Sequence, residues 1–329
     1  MIIAVDAMGG DYAPHQIVKG VIKAAEEYKV EIALIGRKEI LSVLAGRFQD
    51  KLGITIIDAS QVIEFNEHPV EAIKNKPDSS IVVGVGLVKK GFASAFLSAG
   101  STGAVFVAAL GILGKSEGIE RPAIASILAF TATPTLLIDA GANADCRPEH
   151  LVQFAQMGAS YAEKVLGVEK PKVGLLSNGE EETKGNRLTK ETYPLLKQSG
   201  LNFIGNIEGQ DIATGKANVI VTDGFTGNIV LKTLEGFGTN WLHSLTQIGQ
   251  TFSKAYSLSQ QVAHRNIGMD SWSKKLDYRE YGGACLLGVN GNIIICHGRS
   301  QATAIKNAVG LAKQTAERGS IKTSEGKNE

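Results

Sequence analysis

Short apolar strands alternate with amphipathic helical segments along most of the chain. Runs such as Ile2–Val5, Ala123–Leu128 and Val219–Val221 have the length and continuous hydrophobicity of buried strands. The segments between them, Ile17–Tyr28 for example, place apolar residues at three- and four-residue steps, which is the pattern of a helix with one buried face. Because strands that alternate with helices form a mostly parallel sheet covered on both faces, the pattern predicts an α/β protein.

The pattern also predicts where the individual elements lie. The predicted strands are Ile2–Val5, Glu31–Ile35, Ile54–Ile57, Ala95–Leu97, Ala123–Leu128, Thr135–Ile138, Lys172–Leu176, Asn202–Ile204, Val219–Val221 and Ile293–Cys296. The predicted helices are Ile17–Tyr28, Lys38–Phe48, Val70–Lys74, Ser79–Lys89, Ala104–Leu113, Pro148–Leu166, Arg187–Lys197, one after Asn228, and Gln301–Glu317. Two strands, Ala123–Leu128 and Thr135–Ile138, are close enough in sequence to form a hairpin. We expect one large domain over residues 1–316, followed by a polar tail over 317–329.

Polar, glycine-rich turns follow many of the predicted strands. They are Asp6–Asp11, Ser98–Gly103, Asp139–Asn143, Ser177–Glu181, the turn at Glu208, and Asp223–Asn228. In open α/β sheets, ligands bind outside the carboxyl ends of the strands. We therefore expect these turns to lie at one end of one sheet and to form a single polar cleft.

The turn between Ala95–Leu97 and the helix at Ala104 has the composition of an anion site. A turn of small residues that leads into a helix presents free backbone N–H groups and the positive end of the helix dipole, an arrangement that suits phosphate. The alternative is a tight turn with an ordinary Ser/Thr helix cap. The candidate phosphate-binding residues here are Ser98, Gly100, Ser101, Thr102 and Gly103.

Composition narrows the function classes. The formal net charge of +1 gives no general attraction for nucleic acid, and we expect no nucleic-acid partner. The three cysteines form no CxxC pair, which favours free thiols in a reducing, cytoplasmic setting. The chain has no Walker loop, no HExxH motif and no GxSxG elbow. We therefore expect no metal, no cofactor and no covalent nucleophile, and we interpret the glycines of Val83–Gly86 as packing residues in a helix.

Motifs in a consistent order along the chain resemble the bacterial phosphate acyltransferases of phospholipid synthesis. The resemblance extends from Ile2 to about Val309, and it is carried by Val5–Asp11, Ser98–Ala104, Gly118–Ala123, Asp139–Cys146, Asp223–Asn228 and Tyr281–Gly288. It implies that inorganic phosphate attacks the thioester of an acyl-loaded acyl carrier protein and yields an acyl phosphate. It also implies a three-layer αβα sandwich like that of phosphotransacetylases and isopropylmalate dehydrogenases.

The resemblance further implies a cytoplasmic homodimer that contacts the membrane peripherally. The expected partners are acyl carrier protein, inorganic phosphate, a second copy of the chain, and the membrane glycerol-3-phosphate acyltransferase that would use the product. In this reaction phosphate is the nucleophile, so the protein must hold a dianion against a thioester and stabilise the oxyanion that forms.

Several residues are candidates for these tasks. Lys184 can supply positive charge to phosphate or oxyanion, although an exposed loop lysine is the common alternative. Asn143, Asn186 and Asn228 are candidate amide donors, and helix caps or turns are their alternative roles. Three aspartates that each close a strand, Asp6, Asp139 and Asp223, are assigned to orienting Lys184 or loop N–H groups, with helix caps or turns as their alternative role. We assign His297 to passing a proton to the leaving thiolate, with a structural role as the alternative. Cys146 is better explained as a small buried residue than as an acyl carrier.

The stretch 237–276 departs from the α/β rhythm and predicts a helical projection. Its apolar residues fall at helical spacing and basic residues lie beside them. A core or dimer-interface helix is one interpretation; an amphipathic surface for the bilayer or for the acidic carrier protein is the other. The candidate contact residues are Trp241, Phe252, Lys254, Arg265 and Lys274.

Other functions stay open at this point. A related fold could serve a phosphotransacetylase that uses coenzyme A, or a decarboxylating dehydrogenase, although the paired carboxylate run that the latter needs for metal is missing. A membrane-associated scaffold without enzymatic activity is the third alternative. The many polar turns are more than a scaffold requires.

Overall fold

The computed structural model describes residues 1–128, 130–131, 133–238 and 282–319. The residues proposed for membrane or carrier-protein contact, Trp241, Phe252, Lys254, Arg265 and Lys274, lie outside the described residues, as do most of the predicted projection and the end of the predicted tail.

One eleven-stranded sheet runs through the described part of the chain, in the order β3-β2-β1-β4-β11-β10-β5-β6-β9-β7-β8. Its strands are β1 Ile2–Asp6, β2 Glu31–Gly36, β3 Ile54–Asp58, β4 Ala95–Ser98, β5 Ala123–Leu128, β6 Thr135–Ile138, β7 Val173–Leu176, β8 Phe203–Ile207, β9 Val219–Val221, β10 Ala284–Leu287 and β11 Ile293–Ile295.

Helices cover both faces of this sheet. They are α1 His15–Tyr28, α2 Lys38–Ala45, α3 Gln49–Leu52, α4 Pro69–Asn75, α5 Ser80–Lys89, α6 Thr102–Ile112, α7 Pro148–Lys164, α8 Arg187–Gln198, α9 over 224–238 and α10 Ala302–Arg318. Short 3₁₀ turns lie at Gly46–Phe48 and Gly209–Ala213.

Alternation along the strands divides the core between the two faces. In β1, Ile3 and Val5 belong to the core cluster that α1, α7 and α10 cover, whereas Ala4 belongs to the cluster under α5 and α6 on the other face. This is the consequence of the two-residue period of a strand. The result is a three-layer αβα sandwich, so the predicted fold class is confirmed.

The strands do not all point the same way. β1 to β4 and β11 are parallel to one another, β10 is antiparallel to both β11 and β5, and β5 is antiparallel to β6. β9, β7 and β8 continue parallel to β6. The group β6 to β9 therefore runs opposite to the group β1 to β4.

The prediction that all the polar turns lie at one end of the sheet is wrong for this reason. The turns after β1 and β4 lie at one end, and those after β6, β7, β8 and β9 lie at the other. The predicted hairpin, β5 with β6, is confirmed and is the source of the reversal. β10, a strand between glycines that the sequence pattern did not predict, is antiparallel on both sides and so leaves β5 parallel to β11.

Most other differences concern the ends of elements. The predicted helix Lys38–Phe48 divides into α2 and a 3₁₀ turn, and Asn206 and Ile207, predicted to be in a turn, extend β8. Pro148 occupies the start of α7 as predicted. Gly84 lies in α5, where a side chain would overlap the ring of Phe96, so its packing role is confirmed.

Candidate active site

A cavity of about 610 Å³ lies on the sheet face between α6 and α9, and we call it the trough. Its floor includes Ser126, Ala284 and Ile295, which are paired across three adjacent strands. Ile124, Ser126 and Leu128 all line it, since alternate residues of β5 point to the same face. The trough therefore extends along β5 for about 13 Å, given the rise per residue of a strand.

One end of the trough, which we call the mouth, contains the start of α6. Ser101 caps this helix, because its hydroxyl oxygen accepts from the N–H of Ala104 at 3.4 Å and its carbonyl accepts from Val105 at 3.0 Å. The next two residues, Thr102 and Gly103, line the trough. Their N–H groups have no acceptor within the helix and lie at the positive end of its dipole. This end can hold an anion.

The rest of the Ser98–Gly103 turn is committed to internal contacts. The Ser98 hydroxyl is buried; it donates to Oδ2 of Asp6 at 2.7 Å and accepts from the N–H of Gly100 at 2.9 Å. Asp6 also accepts from the N–H groups of Met8 and Gly9. Among the predicted phosphate residues of this turn, the geometry therefore favours Thr102 and Gly103 as direct contacts. Ser98, Gly100 and Ser101 shape the turn.

His297 lies at the same mouth, directly after β11. Its Nδ1 accepts from the N–H of Arg299 at 3.0 Å, which leaves the imidazole proton on Nε2. Burial, followed by the charge of Arg299, lowers the pKa of His297 below its ordinary value. The imidazole is consequently neutral at neutral pH and presents an N–H donor. Its Nε2 lies 4.0 Å from Oε2 of Glu235 on α9, whose own pKa burial raises.

The opposite end of the trough is the loop after β6, and it has few donors to offer. Asp139 accepts from the N–H groups of Gly141 and Ala142, and from the N–H and side-chain amide of Asn143. Burial raises the pKa of Asp139 in spite of these hydrogen bonds. The amide of Asn143 also donates to the Pro122 carbonyl at 2.8 Å. Asn143 is thus buried within the protein, and its alternative role as a structural residue fits the geometry better than phosphate contact.

The start of α9 closes this end. A side chain at Gly227 would overlap the carbonyl oxygen of Asp139, and a Cβ at Gly224 would lie 2.7 Å from backbone atoms of Asn143. Such close approach needs glycine at both positions. Asn228 follows them and lines the trough, with its amide packed against Gly141. We call this end of the trough its closed end.

A second cavity, of about 370 Å³, lies at the start of α8 and contains two of the remaining candidates, Asn186 and Asp223. We call it the α8 pocket. Asn186 caps α8 by accepting from the N–H and hydroxyl of Thr189, at 2.9 and 3.0 Å. Asp223 caps the start of α9 by accepting from the N–H and hydroxyl of Thr226, both at 2.8 Å.

Lys184 lies in the exposed loop that borders the α8 pocket, and its side chain packs against Gly179. The structure therefore brings Thr102, Gly103, Asn228 and His297 together in the trough, and Asn186 and Asp223 together in the α8 pocket. It does not place Lys184 in the lining of either cavity.

Sequence reasoning missed five polar residues that line the trough: His68, Ser126, Lys232, Glu235 and Ser300. Three of them were detectable. Lys232 and Glu235 follow Asn228 at steps of four and three, which places all of them on one helix face. Ser126 interrupts the apolar run of β5, and a lone hydroxyl in a buried strand is an informative exception.

The cysteines are unsuited to acyl transfer. Burial raises the pKa of Cys146 to about 12 and that of Cys285 to about 11, so neither is a thiolate at neutral pH. The Cys146 thiol donates to the Asn143 carbonyl at 3.5 Å. This agrees with its interpretation as a small packing residue.

Among the described residues, no helix has both the length and the apolar character needed to cross a bilayer. The same part of the chain contains no group of three or more His, Cys, Asp or Glu residues placed to hold a metal ion.

The architecture has a clear counterpart among solved structures. A phosphotransacetylase from Streptococcus pyogenes superposes with a TM-score of 0.60 at 22% identity, over 97% of this chain and 94% of the other. The fold is thus that of the phosphotransacetylase-like α/β proteins.

The sequence identifies the family within that fold. Residues 1–323 match the model of the family described as fatty acid synthesis protein. A protein of Dehalococcoides mccartyi named phosphate acyltransferase is 58% identical over 97% of this chain and 92% of its own length. One of the same name from Pelotomaculum thermopropionicum is 50% identical over 96% and 92%. The chain belongs to the fatty acid synthesis protein family, and the predicted resemblance and its assignment as an acyltransferase are confirmed.

Proposed function

We propose that the protein transfers a fatty acyl group from acyl carrier protein to inorganic phosphate, forming an acyl phosphate and a free carrier thiol. The observation that carries the proposal is the trough, because a helix N-terminus and an imidazole N–H lie at its mouth while its floor is largely apolar. A thioester substrate has the same division, with a polar reacting end and an apolar chain.

Phosphate occupies the mouth, against the N–H groups of Thr102 and Gly103. A helix N-terminus binds phosphate through unpaired N–H groups and its dipole, without a specialised sequence. Lys232 lines the same cavity and adds a positive charge to its wall. Asp6 and Asp139 do not repel the anion at close range, since loop N–H groups surround both carboxylates.

The chemical step balances without a protein nucleophile. A phosphate oxygen forms a bond to the thioester carbonyl carbon, the C–S bond breaks, and the electron pair leaves with the sulfur. The proton of hydrogen phosphate ends on the carrier thiol. Held in place, the two substrates avoid the entropic cost of a bimolecular encounter.

His297 acts in this step as a hydrogen-bond donor. Its neutral imidazole presents Nε2–H at the mouth, where negative charge develops on the carbonyl oxygen and then on sulfur. This role replaces direct protonation of the thiolate by an imidazolium, because the lowered pKa leaves little imidazolium at neutral pH.

In this proposal Asn186 and Asp223 shape the α8 pocket by capping the starts of α8 and α9, and Lys184 acts from the exposed loop beside it. Two helix starts and a nearby lysine make that pocket suitable for another anionic portion of the donor, such as the acidic carrier or its prosthetic arm. We further propose a cytoplasmic homodimer in peripheral contact with the membrane. The apolar stripe and basic residues in 237–276 support this, and Trp241→Asp should lower the bound fraction in liposome co-sedimentation.

The decisive experiment supplies the purified protein with phosphate and palmitoyl-acyl carrier protein, and in parallel with palmitoyl-coenzyme A. Acyl phosphate and free thiol are both measured. We expect product from the carrier-protein thioester. Product from coenzyme A alone would instead assign a phosphotransacetylase-like activity, and no product from either donor would contradict acyl transfer to phosphate.

A further inference from the structure

A buried serine in the floor of the trough has a hydroxyl without a partner in the described part of the chain. Ser126 lies in the middle of β5, and it lines the trough together with Ile124 and Leu128. Ala125, the residue before it, belongs to the core on the opposite face of the sheet. Ser126 is only 9% exposed, and no described residue forms a hydrogen bond with its hydroxyl. The hydroxyl therefore points into the cavity.

The neighbours of Ser126 explain why its hydroxyl is unpartnered. Across the ladder it stands opposite Leu137 of β6 and Ala284 of β10, and opposite residues present their side chains to the same face. Leu231 and Leu234 of α9 line the trough above the floor. None of these side chains can donate or accept a hydrogen bond. Burial of a hydroxyl among them costs free energy that the surrounding protein does not offset, whereas a polar atom of a bound ligand would offset it.

The row of residues that contains Ser126 crosses the sheet close to the mouth. Its register partners on β10 and β11 are Ala284 and Ile295, and the row ends at Ser98 of β4. Three strand spacings separate the two serines, about 14 Å, so the hydroxyl lies on the β5 side of the trough and α6 starts on the β4 side. His297 comes two residues after Ile295, so the row lies no more than about 7 Å inside the mouth. A thioester beside a phosphate at the start of α6 therefore lies between that phosphate and the hydroxyl.

We infer that the Ser126 hydroxyl donates a hydrogen bond to the carbonyl oxygen of the thioester and stabilises the negative charge that forms there. The inference rests on the proposed function, in which phosphate occupies the start of α6. Phosphate then reaches the carbonyl carbon from the α6 side, and the carbonyl oxygen turns toward β5. A carbonyl oxygen has two lone pairs, so it accepts from Ser126 as well as from the Nε2–H of His297. The serine keeps its own proton, so the balance of the chemical step is unchanged.

Two substitutions that differ only in the hydroxyl test the inference. Ser126→Thr keeps the donor, whereas Ser126→Val puts a methyl group in its place, and both residues are β-branched and suit a strand. The measurement is steady-state kinetics with palmitoyl-acyl carrier protein and varied phosphate. We expect kcat of Ser126→Val to fall by about tenfold or more, since a donor to a developing oxyanion acts mainly in the transition state. KM for phosphate should stay near the wild-type value, and Ser126→Thr should retain most of the activity.

Thermal unfolding separates this role from a structural one. The hydroxyl has no partner to lose, so the melting temperature of Ser126→Val should equal or exceed that of Ser126→Thr. A serine that stabilises the fold would give the reverse order. Ser80→Ala is the control, because Ser80 is a buried serine of α5 outside the described lining of the trough, and it should leave kcat unchanged.

The possible failures are distinguishable. Wild-type activity with the palmitoyl donor is required for the proposed function itself, and its absence would contradict that function. If the wild type is active, equal kcat values for the folded Thr and Val variants overturn the inference. A raised KM for phosphate with unchanged kcat in Ser126→Val also overturns it, because the hydroxyl would then contact phosphate. If either variant does not fold, Ser126→Ala is compared with the wild type by the same measurements.

Discussion

The trough and the α8 pocket both collect polar residues at the start of a helix, yet their surroundings differ. In the trough, Thr102 and Gly103 lie beside a largely apolar floor that the sheet forms between α6 and α9. In the α8 pocket, side-chain oxygens of Asn186 and Asp223 accept the hydrogen bonds that cap α8 and α9. Ser101 caps α6 in the same way, so capping alone does not distinguish the two cavities. What distinguishes the trough is that the N–H groups of a helix start lie beside a largely apolar floor, an arrangement that suits a substrate with one anionic and one apolar part.

The largest effect is expected from covering the helix start in the trough. Gly103→Val adds a branched side chain in the first turn of α6, where its Cβ would lie 2.8 Å from the Pro69 ring on the wall of the trough and the start of α6 would have to shift. We expect kcat/KM for phosphate to fall by about 100-fold or more, the scale of losing preorganised donors. Steady-state kinetics with varied phosphate measure it.

Gly111→Val is the matched control, because Gly111 lies on the same helix and a Cβ there meets no atom within 4 Å. Equal losses in both variants would show that α6 is damaged in general, and would remove the phosphate site from its N-terminus.

The second-largest effect tests whether the neighbourhood of the α8 pocket also takes part in the reaction. Lys184→Ala should lower kcat/KM with the carrier-protein donor by about tenfold or more, since a charge close to an anion in a partly desolvated site is worth this much. Lys190→Ala, an exposed lysine on α8, is the control and should leave turnover unchanged. Normal turnover of folded Lys184→Ala would exclude the lysine from the mechanism and leave the trough as the candidate site.

A smaller effect distinguishes capping from catalysis at Asn186. Asn186→Ala removes the acceptor for Thr189 and should lower the free energy of unfolding by about 1 kcal/mol. Asn186→Asp keeps the cap, so its denaturation midpoint should stay near that of the wild type. Denaturant titration measures both. A folded Asn186→Asp variant with strongly reduced kcat would show that the amide itself contacts a substrate.

The smallest effect concerns His297 and pH. Its pKa in the folded protein is lowered, so the unfolded chain binds a proton more readily; the resulting stability is present above about pH 6.5 and is lost as the pH falls through the folded-state pKa. The melting temperature of the wild type should therefore drop slightly more between pH 7.5 and 5.5 than that of His297→Gln. Parallel curves would indicate that folding does not change the pKa of His297, and would contradict its lowered value.

The reversal of strand direction explains why the single polar cleft was only partly predictable. The hairpin of β5 and β6 was visible in the sequence, and its consequence is that strands after β6 run opposite to β1 and β4. β10 was not visible, because four residues between glycines give no periodic signal. The rule that ligands lie at the carboxyl ends of strands applies within each group of parallel strands. It did not indicate that α9 would cross the face of the sheet from the closed end of the trough to its mouth.

The sequence by itself determined the alternation of strands and helices, the strand-closing aspartates and the helix caps, because hydrophobic period and capping chemistry are local properties. It also determined the family, through motifs spread over most of the chain. Only the tertiary structure decided that Ser98 pairs with Asp6 and Asn143 with Asp139. It also decided that Thr102, Asn228, Lys232 and His297 share a cavity. Those assignments depend on which N–H groups meet which oxygens across distant segments, and such pairings follow from the packing of α6 and α9 on the sheet.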